Sequence, residues 1–132
     1  MKEEYDVRDV MSSGRSKEIF VAMMRARTKA FAMTAIGVFR NLSKSGEARI
    51  IGDQFLRSSL SVASNYRAVC RARSKAEFYA KLSITIEELD ESLFWMEILV
   101  DSGIVPKSKI SNFEAEGQEL LAILAKARKS TK

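Results

Sequence analysis

Residues 74–102 read SKAEFYAKLSITIEELDESLFWMEILVDS, and the apolar positions within them decide the fold. Tyr79, Leu82, Ile86, Leu89, Leu93, Met96 and Val100 recur at alternating intervals of three and four residues. A helix turns by about 100° per residue, so this rhythm gathers all of them on one face, and so long a stripe calls for a helix packed along its whole length. The ends of the helix are also written in the sequence. Ser74 and Glu77 have the spacing of a capping box, in which each side chain satisfies a free backbone amide at the helix start. Gly103 followed by Ile104 has the form of a left-handed cap with its apolar contact, and Pro106 keeps the helix from resuming at once.

Working outward, residues 52–72 form a second amphipathic segment, with Phe55, Val62, Tyr66 and Val69 along one stripe and Asp53 near the positive end of the helix dipole. Beside that stripe Ser58, Ser59, Ser61, Ala63 and Ser64 are small enough to admit a close neighbour or a hydrogen-bonded seam. Residues 16–42 place Phe31, Ala35, Val38 and Leu42 on one face, and Ser43 to Gly46 reads as a turn. A fourth helix is expected over 107–129, carrying Phe113, Leu120, Leu121, Ile123 and Leu124, with a second capping-box spacing at Ser111 and Glu114. Residues 1–15 read as a flexible N-terminal arm, and residues 129–132 as a frayed tail. Short connections favour antiparallel neighbours, so the expected architecture is all-α, an antiparallel up-down four-helix bundle in one domain.

Composition agrees with one soluble core. The 132 residues are 46% hydrophobic and 30% charged, with a single proline. The segment before Ser16 lacks the apolar run of a signal peptide, and no stretch is apolar for long enough to span a bilayer. One cysteine, Cys70, leaves no intrachain disulfide, and the expected location is a reducing cytoplasm. With no histidine and one cysteine there is no zinc ligand set, no His-activated nucleophile and no di-iron motif, and no glycine-rich phosphate loop occurs. The reading is a non-enzymatic chain with no metal and no cofactor.

Three smaller features carry paired readings. The carboxylates Glu87, Glu88, Asp90 and Glu91 could hold a hard cation or form a solvated, salt-bridging face. Cys70 is either a thiol activated by Arg67, Arg71 and Arg73 or a small half-buried apolar group. Phe94 and Trp95 are either base-stacking groups or part of a core or subunit interface.

The net charge of +5 is distributed unevenly. Arg57, Arg67, Arg71, Arg73, Lys75 and Lys81 meet only Glu77 in their own stretch, after which acids follow without a base as far as Asp101. This predicts a basic end and an acidic flank. At helical spacing Arg57, Ser61, Ser64, Arg71 and Lys75 form a strip suited to a phosphate backbone, with hydroxyls interleaved between cations. Equally, these bases could pair with the acids of residues 87–101, within the chain or across a subunit boundary.

The motifs themselves point further. Gln54-Phe55-Leu56-Arg57-Ser58-Ser59, Ser61-Val62-Ala63-Ser64-Asn65-Tyr66-Arg67, Arg71-Ala72-Arg73-Ser74-Lys75-Ala76-Glu77-Phe78 and Glu88-Leu89-Asp90-Glu91-Ser92-Leu93-Phe94-Trp95 occur in series. Together they resemble the bacterial four-helix-bundle proteins encoded in intervening sequences of 23S ribosomal RNA genes, relatives of the accessory variability protein of diversity-generating retroelements. The resemblance spans about residues 27–104. It implies a homopentameric ring with a basic surface that binds RNA or DNA, and a nucleic-acid enzyme such as a reverse transcriptase as a further partner. By the same resemblance Arg57, Asn65, Arg67, Arg71, Arg73 and Lys81 are polar family positions, and Glu88, Glu91 and Trp95 belong to the helix-three motif. With the basic strip, the expected nucleic-acid-binding residues are Arg57, Arg67, Arg71, Arg73, Lys75 and Lys81, and the oligomer or structural residues are Asn65, Glu88, Glu91 and Trp95. In one place the chain departs from the family: Ala68 and Val69 follow Asn65-Tyr66-Arg67, where an acidic residue is common. The alternative is a structural, protein-interaction module with no nucleic-acid binding of its own.

Overall fold

The computed structural model describes residues 14–131, and these form four helices: α1 Gly14–Arg40, α2 Gly46–Cys70, α3 Lys75–Asp101 and α4 Lys107–Thr131. The connections are a few residues each, so successive helices run antiparallel. Packing is closest between α2 and α3 and slimmest between α1 and α4, and the diagonal pairs meet through side chains only, their backbones staying apart. None of these helices is long and apolar enough to cross a membrane.

The α3 stripe behaves as its rhythm requires. Leu82, Ile86, Leu89, Leu93 and Met96 are buried, and Tyr79 and Val100 are partly covered at the two ends. Ser74 caps α3 by accepting a hydrogen bond from the Glu77 amide at 3.0 Å. Gly103 takes the left-handed conformation at φ +80°, and the Ile104 amide turns back to the Leu99 carbonyl.

One helix boundary, the start of α2, differs from expectation by more than fraying. α2 begins at Gly46, not at residue 52: Gly46 sits at φ +64°, which lets the chain turn from the extended Ser45 straight into the helix. Gly52 therefore lies inside α2, where a Cβ would stand 3.0 Å from Leu42 Cδ1, so the missing side chain is what lets α2 lie against the end of α1. Glu47, not Asp53, occupies the first turn. α4 starts directly after Pro106, which puts Ser111 and Glu114 inside the helix, where they cap nothing. It also continues to Thr131, whose buried hydroxyl bonds the Ala127 carbonyl at 2.8 Å, so most of the supposed frayed tail is helical. Of the expected flexible arm, residues 14 and 15 open α1 and the rest lies outside the described residues.

Phe113 of α4 anchors the core, its ring 4.5 Å from that of Phe31 and 6.2 Å, edge-on, from that of Phe55. Gly117, one turn on, is buried where a Cβ would come within 2.8 Å of Leu93 Cδ2 and 3.2 Å of Phe31 Cε1. Between α2 and α3 the small-residue seam is realised: Ser59 and Ser92 hydroxyls meet at 2.6 Å with no solvent access. Across the slim α1–α4 seam, Arg27 donates to both Glu116 oxygens, at 3.1 and 2.7 Å, and to Glu119 at 3.2 Å.

Candidate nucleic-acid interface

The up-down topology brings the start of α1, the end of α2, the start of α3 and the end of α4 to one end of the bundle. Three contacts register them there. Lys17 of α1 lies 5.4 Å above the Phe78 ring of α3. Arg128 of α4 donates to the Ser83 hydroxyl of α3 at 3.5 Å. Arg25 of α1 acts on Tyr66 and Cys70 of α2 electrostatically.

Arg67, Arg71, Arg73, Lys75 and Lys81 all sit at this end, on the last turn of α2, the corner and the first turns of α3. Arg67, Arg71, Arg73 and Lys75 are exposed and Lys81 is partly covered. Arg73 has a loose ion pair with Glu77 at 3.8 Å, and the other four make no ion pair among the described residues. Topology adds cations that segment-by-segment reading missed: Arg15, Lys17 and Arg25 from α1, and Lys126, Arg128 and Lys129 from α4. Against them stand Glu18 and Glu77 on the same turns. The signal that would have found these six is the antiparallel order itself, since no single segment contains the cluster.

Arg57 is placed elsewhere. It lies halfway along α2 and reaches across to α3, where Nη1 donates to Glu88 at 3.1 Å and Nη2 to Glu91. Glu91 also accepts the Trp95 indole N–H at 3.1 Å, so Arg57, Glu88, Glu91 and Trp95 form one polar clasp over the α2–α3 groove. Arg57 is therefore paired with the acidic helix within the chain, and the strip running from it to Lys75 is broken. Asn65 donates to the Ser61 carbonyl of its own helix at 2.9 Å. Phe94 stays half exposed with its ring edge-on to Trp95, the centroids 4.9 Å apart.

The remaining chemistry is sparse. Burial pushes the Cys70 thiol up against the opposing influence of Arg25 and Arg71, so the nearby arginines do not make it a ready thiolate. No group of three or more acidic, cysteine or histidine side chains among the described residues has the arrangement of a metal site.

This arrangement, four antiparallel helices with a cationic end and with Glu88 and Glu91 of α3 clasped by Arg57, defines the class as an all-α four-helix bundle. The chain belongs to the 23S rRNA-intervening sequence protein family, whose sequence profile matches residues 23–126. A crystal structure of a protein of unknown function from the S23 ribosomal protein family of Bacteroides thetaiotaomicron VPI-5482 superposes with a TM-score of 0.75. The two share 22% sequence identity over 83% of this chain and 97% of that one, a likeness of fold. No curated protein matches the chain.

Proposed function

We propose that this protein is a non-enzymatic accessory protein that assembles with copies of itself, as a pentameric ring, and grips RNA or DNA phosphates through the cationic end of each bundle. One observation carries the reading: three regions remote in sequence, the start of α1, the α2–α3 corner and the end of α4, deliver arginines and lysines to the same end of the fold. Binding there is phosphate neutralisation with release of condensed counterions, and no helix is presented that would read base edges, so sequence selectivity is low. A nucleic-acid enzyme such as a reverse transcriptase is the further partner that this reading proposes.

The test is the affinity of the purified protein for a mixed-sequence RNA and a DNA duplex across a salt series. Binding should weaken with a slope of several units in log affinity against log salt. The R67A/R71A/R73A triple variant should bind more weakly, with that slope flattened by roughly 2 units. A wild-type protein that binds neither probe at low salt would reject the reading.

The second reading, a structural interaction module, is favoured by a different observation: α3 exposes Ile84 and Phe94 on its acid-rich outer face, 40% and 48% accessible.

A further inference from the structure

We infer that copies of this chain join through the outer face of α1 on one and the outer face of α3 on the next. The inference deepens the assembly part of the proposed function and does not depend on its nucleic-acid part. It begins with α1. Ile19, Ala22, Ala26, Ala30, Met33 and Gly37 recur every three or four residues, all on the side turned away from the core, and all are exposed. Ile19 is 49% and Met33 60% accessible, and a Cβ placed on Gly37 would meet nothing within 4 Å. In a chain with 30% charged residues, this line runs about 27 Å along a helix without one charge. A solvated helix face is ordinarily its most polar, and small residues there leave shallow holes for a neighbour's large side chains.

The matching face is on α3. Ile84 and Phe94 project from its outer side, among the exposed acids Glu87, Asp90, Glu97 and Asp101. No lysine or arginine occurs from Leu82 to Pro106. The α1 stripe is bordered instead mainly by cations, with Arg25 and Lys29 beside the single acid Glu18 along one side and Arg15 and Arg40 at its ends. One face thus offers holes with a basic border, and the other offers knobs with an acidic border. Such complementary charge steers association and sets register.

Within one chain the two faces cannot meet, because α1 and α3 occupy diagonal corners of the bundle and these residues lie on the exposed side of each, away from the core. Each copy therefore carries one unfilled socket and one unfilled plug on opposite sides. This is a heterologous contact, which propagates head to tail and ends only when a ring closes.

The experiment uses light scattering on the full-length wild type and on two variants, A26E/A30E on α1 and I84E/F94E on α3. All four positions are exposed or outward-facing, so the circular dichroism of each variant should match that of the wild type. The wild type should be a multiple of the 14.8 kDa chain, and each variant should fall to a single chain. An equimolar mixture of the variants retains one intact α1 face and one intact α3 face, and should form a one-to-one dimer that grows no further. Folded variants that keep the wild-type mass would overturn the interface while leaving assembly itself standing. A mixture that stays monomeric would overturn the α1-to-α3 pairing, and a monomeric wild type would remove both the interface and the assembly reading.

Discussion

The hydroxyls of Ser59 and Ser92 meet 2.6 Å apart in the interior of the α2–α3 seam, where neither side chain touches solvent. Each is the other's partner across two helices that approach closely because both are small there. Replacing either by alanine leaves a buried hydroxyl that has lost this bond, at a cost of about 1–2 kcal/mol. The double alanine variant removes both polar groups and should be less destabilised than the two single losses added together. Urea unfolding of the three variants measures the difference. Purely additive losses would mean that the pair is not coupled.

Tyr66 presents the opposite case, a fully buried hydroxyl with no hydrogen-bond partner among the described residues. Burial, with a smaller contribution from Cys70, pushes its phenol well above the ordinary tyrosine range, against the opposing influence of Arg25. Tyr66→Phe should raise stability at neutral pH by up to about 1 kcal/mol, since an unpaired polar atom leaves the core.

The same group makes the fold sensitive to alkali. Its raised pKa contributes stability that is intact below the unfolded-state value near 10 and declines above it, because the unfolded chain then releases a proton the native chain retains. The expected decline is about 1.4 kcal/mol per pH unit from this group. Urea midpoints at pH 8, 10 and 11 should fall less steeply in Tyr66→Phe than in the wild type. Equal slopes would exclude Tyr66 as the source.

At Gly117, α4 lies close against Leu93 of α3 and Phe31 of α1. A valine there adds carbon atoms into space already held by Leu93 and Phe31, and the expected loss is about 1–3 kcal/mol. Gly117→Ala gains helix propensity of about 1 kcal/mol but must displace the Leu93 methyl, so it should be milder than valine. Thermal unfolding ranks the two.

The Arg57 clasp separates structure from binding. Arg57 is 47% exposed and its partners Glu88 and Glu91 are 22% and 36% exposed, so solvent screening limits its loss to about 0.5 kcal/mol. Arg57→Ala should therefore leave the salt dependence of nucleic-acid binding unchanged, in contrast to the triple variant at the cationic end. Trp95 fluorescence should shift, because Glu91 loses the cation that holds it beside the indole. A flattened salt slope in Arg57→Ala would place Arg57 in the binding surface after all.

Much of the architecture was legible because α3 obeys local rules from end to end. Its stripe, its Ser74 cap and its Gly103 stop each rest on residues within a few positions of one another. The start of α2 was not legible, because Gly52 resembles a boundary in sequence and becomes an interior glycine only once α1 lies against it. For the site, Arg67, Arg71, Arg73, Lys75 and Lys81 were visible as a local run. Arg25 and Arg128 join them only through the return of α1 and α4 to the same end, a property of topology and not of spacing. The general expectation that the bases pair with the acids of residues 87–101 is met among the described residues at Arg57, through Glu88 and Glu91.

The three short connections also govern how the chain reaches this structure. Most contacts join helices adjacent in the chain, so the contact order is low and folding is expected to be fast for a domain of this size. The exception is the seam between α1 and α4, where Arg27 must find Glu116 at a sequence separation of 89. Closing that seam carries the largest loop entropy for the slimmest helix contact, which predicts that it forms last and opens first, an order that native-state hydrogen exchange would check. On the ribosome the α2–α3 hairpin can form while α4 is still being synthesised, and the bundle closes only after Glu116 has emerged.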